Sequence, residues 1–217
     1  MYKLCAFDLD GTLVDTVHDI AAAANYGLEK MGLPTHPTES YYRFVGNGMQ
    51  KICERALPEG RKDKTEELMK IYAERYMERC CELSEPYEGV RALLERLGEA
   101  GLCLAVVSNK PHEQTVRVVS HYFPGIEFFE VLGASERLPR KPQPEMLLSV
   151  IAKGGFLEGE TLYIGDSDVD VLFAHAARVP CLGVSWGFRG RGELESAGAE
   201  YIVDSAAEIE AIALGLK

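Results

Sequence analysis

The stretch Phe7-Asp8-Leu9-Asp10-Gly11-Thr12-Leu13-Val14-Asp15-Thr16 decides the fold. The apolar run that leads into it, Leu4-Cys5-Ala6-Phe7, reads as a buried parallel strand. Side chains two apart on an extended chain point to one side, so Asp8 and Asp10 can converge on a single bound group. Gly11 lets the backbone leave the strand sharply, and Thr12 brings a hydroxyl and an N–H beside the two acids. Open α/β sheets carry their ligand sites at the carboxyl ends of strands. Standing alone, Asp-x-Asp-Gly is no more than a polar turn. A calcium loop would need its Gly later and a closing Glu. The reading therefore depends on whether partners for the acid pair recur downstream.

They recur at the ends of later strands. Leu102 to Val107 is an apolar strand that ends in Ser108-Asn109-Lys110-Pro111. A weaker strand, Phe128 to Gly133, is followed by Arg140-Lys141-Pro142. Thr161 to Ile164 runs into Gly165-Asp166-Ser167-Asp168-Val169-Asp170, which opens a helix, and Cys181 to Val184 and Tyr201 to Val203 are two more strands. Helical patterns separate them, so a doubly wound, mostly parallel sheet of the Rossmann type is predicted, an α/β fold. Residues 16–84 carry helical signals only, the longest from Lys62 to Leu83 with Leu68, Ile71, Tyr72, Tyr76, Cys80 and Leu83 on one stripe. This shift marks an inserted all-helical domain, and residues 1–15 and 85–217 are the expected catalytic core.

In a parallel sheet the strand ends share one edge, so Asp8, Asp10, Ser108, Asn109, Lys141, Asp166 and Asp170 can gather at one site. Singly, each has a plainer reading: Ser108-Asn109 as a helix cap, Lys141 as a solvated lysine, Asp166 as a cap, Asp170 as an exposed acid. Together they pose an electrostatic problem, because gathered carboxylates repel one another unless a hard cation lies among them. Oxygen ligands in an incomplete cage suit Mg²⁺, which also binds phosphate oxygens. A phosphate dianion beside an Asp nucleophile meets about 4 kcal/mol of repulsion per unit pair at ~4 Å and an effective dielectric near 20. Mg²⁺ and Lys141 offset that repulsion, while Thr12, Ser108 and helix-start N–H groups donate to phosphate oxygens. Asp8 is then placed to attack phosphorus, and Asp10 to protonate the leaving alkoxide and later to activate water.

The chain has 217 residues, 47% of them hydrophobic and 26% charged, with a net charge of −11, which argues against nucleic-acid and anionic-membrane partners. No apolar run reaches the ~20 residues of a membrane span, and no leader pattern precedes the first strand, so a cytoplasmic protein is expected. The six cysteines show no metal-ligand spacing; Cys80 and Cys81 are neighbours on a helical pattern, open to a redox role. Neither G-x-G-x-x-G after the first strand nor a P-loop occurs. Oligomeric state is not readable.

These residues resemble the haloacid dehalogenase-like hydrolase superfamily, whose four motifs stand in order as Asp8-x-Asp10-Gly11-Thr12, Ser108, Lys141-Pro142 and Gly165-Asp166-Ser167-x-x-Asp170. The helical insert is similar to that family's type 1 cap. The resemblance implies Mg²⁺ held by Asp8, the Asp10 carbonyl and Asp166, with Asp170 supporting the metal site and Lys141 bridging Asp8 and phosphate. Within the family, Val45-Gly46-Asn47-Gly48, Ser108-Asn109-Lys110-Pro111 and Ser185-Trp186-Gly187-Phe188-Arg189 are most similar to phosphoglycolate phosphatases. On that resemblance Asn47, Gly48 and Arg189 are candidates for substrate selection, although the turn can be a mere helix–helix connection and Arg189 can face solvent. The expected activity is Mg²⁺-dependent hydrolysis of a small phosphorylated metabolite, 2-phosphoglycolate foremost, through an aspartyl-phosphate. Phosphoryl transfer of the β-phosphoglucomutase type, pyrophosphate or nucleotide phosphatase activity, and a non-turnover phospho-Asp signalling module are the alternatives.

Overall fold

The computed structural model describes residues 2–216. The chain runs through β1 (Leu4–Phe7), the two-residue β2 (Val14–Asp15), α1 (Val17–Lys30), α2 (Thr38–Phe44), α3 (Met49–Ala56), α4 (Thr65–Arg79) and the two-residue β3 (Glu85–Pro86). It continues through α5 (Val90–Glu99), β4 (Cys103–Pro111), α6 (His112–Tyr122), β5 (Glu130–Ala134), α7 (Glu145–Gly154), β6 (Thr161–Gly165), α8 (Asp168–Ala176), β7 (Cys181–Val184), α9 (Arg191–Ala197), β8 (Tyr201–Val203) and α10 (Ala206–Ala213). Six strands make one sheet in the order β5-β4-β1-β6-β7-β8, every neighbouring pair parallel.

β1 is central because both its faces are covered. Cys5 and Phe7 join Val106 and Ile164 in one apolar cluster with α5 and the helical insert. Leu4 and Ala6 join Tyr163 in a second cluster with Met146 and Val150 of α7 and Phe173 of α8. Such two-faced burial is why the central strands read as unbroken apolar runs. From β1 the chain crosses to β4 and β5 on one side, then returns to β6, β7 and β8 on the other. The switch in direction beside β1 opens a crevice at the carboxyl edge. Phe7 is in register with Val106 and Ile164, so Asp8, Ser108 and Asp166 emerge at nearly one level.

The helical insert leaves and rejoins the sheet through an antiparallel ribbon in which Val14 pairs with Pro86 and Asp15 with Glu85. Entry and exit thus lie side by side near Thr16 and Ser84–Tyr87. α4 ends at Arg79, short of the predicted Leu83, which is exposed. The reason lies in α1: Asp19 accepts the amide N–H of Leu83 at 3.1 Å and of Ser84 at 2.9 Å, drawing both out of the helical ladder. β2, β3, α9 and α10 were not anticipated; two-residue strands and one- to two-turn helices carry too little period to read.

Candidate active site

Asp8 leaves β1 with its amide donating to the Ile164 carbonyl at 2.8 Å, so the neighbouring strand fixes its direction. One carboxylate oxygen accepts from Leu9 N–H at 2.7 Å; the other lies 3.0 Å from Lys141 Nζ. Lys141 is buried and donates also to Asp170 Oδ1 at 2.7 Å and to the Tyr163 hydroxyl at 3.0 Å. Its two carboxylate partners hold the ammonium charged, well above the usual lysine range, against the opposing cost of burial. For Asp8 the balance runs the other way. Burial, aided by the nearby Asp170 and Asp10 charges, outweighs Lys141 and pushes its carboxyl up to about 6.

Asp170 and Asp166 stand four residues apart on the turn that opens α8, yet their surroundings differ. Asp170 accepts from Lys141 and Tyr163 on one oxygen, and from the Asp166 and Ser167 amides and the Ser167 hydroxyl on the other. Asp166 has no ion-pair partner among the described residues. Phe188 N–H donates to it at 2.7 Å and the Thr12 hydroxyl at 3.5 Å, and burial next to two further acids raises its carboxyl well above the ordinary range. Two glycines make room for it. A Cβ on Gly11, whose φ is +86°, would lie 2.5 Å from Asp166 Oδ2, and one on Gly187 would lie 2.2 Å from its Cβ.

The donor set fits a hard divalent ion. Asp8, Asp166 and Asp170 each offer a carboxylate oxygen within 4.8 Å of one another, all buried. Four acids, Asp8, Asp10, Asp166 and Asp170, face two ammonium groups, Lys141 and Lys110, which leaves two negative charges to be balanced. Asp170 already accepts five hydrogen bonds; it serves as the anchor of Lys141 and of the Asp166 loop, and Asp8 and Asp166 are the freer pair.

Asp10 is gripped from two sides. Lys110 Nζ donates to its two oxygens at 2.8 and 3.0 Å, and the Thr16 hydroxyl donates at 2.6 Å. Lys110, which also lies 4.5 Å from the centre of the Tyr76 ring, is a site residue that sequence reasoning missed. The only available signal was its place, two residues past Ser108 on a strand that continues to Pro111. Gln114, Tyr163, Gly187 and the Phe188 amide were missed likewise, because only tertiary contacts give them a part.

Several expected contacts have other partners. Asn109 uses its side chain to hold the Lys141 backbone, accepting from Lys141 N–H at 2.9 Å and donating to the Lys141 carbonyl at 3.2 Å and the Gly46 carbonyl at 3.1 Å. It positions the lysine loop and ties the insert to the core. Thr12 turns to Asp166 because Gly11 reverses the chain. Asn47 accepts from Arg55 Nη2 at 2.7 Å, within the insert. Arg189 donates to the carbonyls of Tyr42 at 2.9 Å and Val45 at 2.7 Å, at the end of α2, where free carbonyls attract a cation. Gly48 does line the cavity, together with Asp8, Asp10, Ser108, Lys110 and Gln114. The space enclosed between sheet edge and insert is tight, about 20 Å³, little more than a single water requires.

A family model described as haloacid dehalogenase-like hydrolase matches residues 5–184. The chain is 34% identical over 218 residues to a phosphoglycolate phosphatase of Haemophilus influenzae (strain 86-028NP), covering 96% of each. A Pseudomonas putida (KT2440) relative of the same name is 32% identical, over 93% of this chain and 76% of its own. Among solved structures, a protein from Lactobacillus delbrueckii subsp. bulgaricus superposes with a TM-score of 0.91 at 30% identity, covering 99% of both chains. One from Haemophilus somnus, described as a predicted phosphoglycolate phosphatase, gives 0.87 at 30% identity over 97% of both.

Proposed function

This chain belongs to the haloacid dehalogenase-like hydrolase family, and from that premise we propose that it is a phosphatase of small phosphomonoesters, 2-phosphoglycolate foremost. The observation that carries the proposal is the buried relay in which Asp170 holds Lys141 and Lys141 holds Asp8, with Asp8 facing the cavity that Ser108 and Asp10 also line. In this reading residues 16–84 are a cap on a core of residues 1–15 and 85–217.

Asp8 and Asp166, with the Asp10 carbonyl and with Asp170 behind them, would hold Mg²⁺, which when bound supplies positive charge against the repulsion between carboxylate and phosphate. Lys141 orients the Asp8 carboxylate and meets a phosphate oxygen on its cavity side. The Ser108 hydroxyl accepts from Lys110 N–H at 3.3 Å and keeps its own proton for a second phosphate oxygen. Asp8 attacks phosphorus and the ester bond breaks; Asp10, entering this step protonated with one oxygen released by Lys110, passes that proton to the departing alkoxide. Asp10 then takes a proton from a water that attacks the aspartyl-phosphate; phosphate leaves and Asp8 is restored. Lys110 and Thr16 aim the Asp10 carboxylate when it is ionised and ready to take the proton of the attacking water. The insert keeps bulk water from the acyl-phosphate.

Phosphate release from 2-phosphoglycolate tests the reading directly. Turnover is expected with Mg²⁺ and lost on chelation, and Asp8→Asn is expected to lower kcat by at least about 10³-fold. Undiminished release from Asp8→Asn would dispose of the nucleophile assignment. Conversion of β-glucose 1-phosphate into glucose 6-phosphate, without net phosphate release, would turn the reading toward a mutase.

A further inference from the structure

Gln114 is a polar side chain of the cavity wall that the proposed chemistry leaves idle. It is the third residue of α6 and only 4% exposed, and its carbonyl oxygen is buried without a hydrogen-bond partner among the described residues. Buried amides in native proteins are almost always paired, so an orphan in a functional cavity marks a partner that arrives from outside. The neighbouring polar groups are already committed: Asn109 to the Lys141 backbone, and Lys110 to Asp10. The facing insert wall is apolar, with Ile20, Val45, Met49 and Ile52, apart from the hydroxyl-bearing Tyr72 and the backbone at Gly46 and Gly48.

Resting on the phosphatase reading above, we propose that Gln114 determines specificity by hydrogen bonding an oxygen function at the non-phosphate end of the substrate. Position supports the role. α6 follows the end of β4 at Pro111, so Gln114 comes six residues after Ser108, and the two line the same cavity. With phosphate seated against Ser108 and Asp8, the remainder of a short ester shares the lined space that the Gln114 amide also borders. The amide offers both an acceptor and two donors, which suits a carboxylate or a hydroxyl and gives an alkyl end nothing.

Three esters of similar size separate the possibilities: 2-phosphoglycolate, 2-hydroxyethyl phosphate and ethyl phosphate. Gln114→Met keeps the volume and removes the hydrogen bonds. It is expected to lower kcat/KM about tenfold for the ester whose oxygen is read, and to leave ethyl phosphate unchanged. Gln114→Glu tells the two oxygen functions apart, because it repels a carboxylate yet still accepts from a hydroxyl. A selective loss on 2-phosphoglycolate assigns the carboxylate; a loss on 2-hydroxyethyl phosphate in Gln114→Met, spared in Gln114→Glu, assigns the hydroxyl. Without ligand, Gln114→Met should melt no lower than the unaltered protein, since an unpaired buried amide gives way to an apolar group. Equal losses on all three esters, or none, overturn the inference while leaving the phosphatase reading intact. No turnover of any ester by the unaltered protein overturns both.

Discussion

The two walls of the candidate cavity are built on different physics. The sheet-edge wall carries the charged groups that meet the cavity, Asp8, Asp10 and Lys110, each held by strand ends and by buried partners. The insert wall brings apolar side chains and the backbone of a glycine turn, with the Tyr72 ring as its one polar-tipped side chain. The walls are joined across the top by Arg189 and Asn109 of the core, which donate to the carbonyls of Tyr42, Val45 and Gly46. Charges that must be placed to a fraction of an ångström sit on rigid elements, whereas a covering wall needs only to fit and to exclude water. Because the joining bonds fall on backbone carbonyls, the insert can vary in sequence without losing its hold.

If that contrast is right, damage to the sheet-edge wall should cost stability as well as turnover. Lys141→Met strands Asp8 and Asp170 as buried acids without their cation. Denaturant titration should show a loss of about 3–5 kcal/mol, alongside loss of activity. An unchanged midpoint would mean that Lys141 does not hold the wall together.

A smaller effect comes from pH. The Asp8 carboxyl in the folded, metal-free chain lies near 6, above its ordinary value of 3.8, so between those limits the folded state keeps a proton that the unfolded state gives up. Its contribution to stability is therefore present below about 4 and is lost as pH rises through about 6, amounting to at most about 3 kcal/mol. Asp166 acts in the same direction. The stability difference between the unaltered protein and Asp8→Asn, measured without metal, should shift toward the unaltered protein as pH falls through that window. Added Mg²⁺ should flatten the trend, because cation binding requires the deprotonated acids. A difference independent of pH would contradict the charge imbalance.

The insert wall sharpens the contrast with the smallest effect. Arg189→Ala removes two hydrogen bonds to the end of α2, a loss of about 1–2 kcal/mol in holding the walls together. KM should rise roughly tenfold with kcat nearly unchanged, and solution scattering of the ligand-free protein should report a larger radius. A fall in kcat at constant KM would show that Arg189 belongs to the chemistry instead.

Legibility followed the range of the interactions. The Asp8-Leu9-Asp10-Gly11-Thr12 turn and the Gly165–Asp170 turn are local, so residue order alone places their side chains, and a parallel sheet then brings the two turns to one edge. The Lys110 contact to Asp10 spans 100 positions, and Arg189 reaches Tyr42 across 147. No periodicity carries such pairings. The end of α4 was misread for the same reason: helical spacing continues to Leu83, but Asp19, 65 residues before Ser84, claims the amides. Likewise Asn47 and Arg189, chosen for their place in local patterns, proved to be engaged within and against the insert.

Sequence by itself determined the α/β alternation and the all-helical run between β2 and β3, and it nominated the acids and the lysine for one sheet edge, because strand alternation, helical period and turn chemistry act over a few residues. Tertiary structure alone decided which acid each lysine serves, that Asp166 has no ion-pair partner among the described residues while Asp170 is saturated, and that Gln114 faces the cavity unpaired. Those outcomes follow from burial and from distances between segments far apart in the chain. In a low-dielectric interior, such distances decide whether a charge is compensated or exposed to its like.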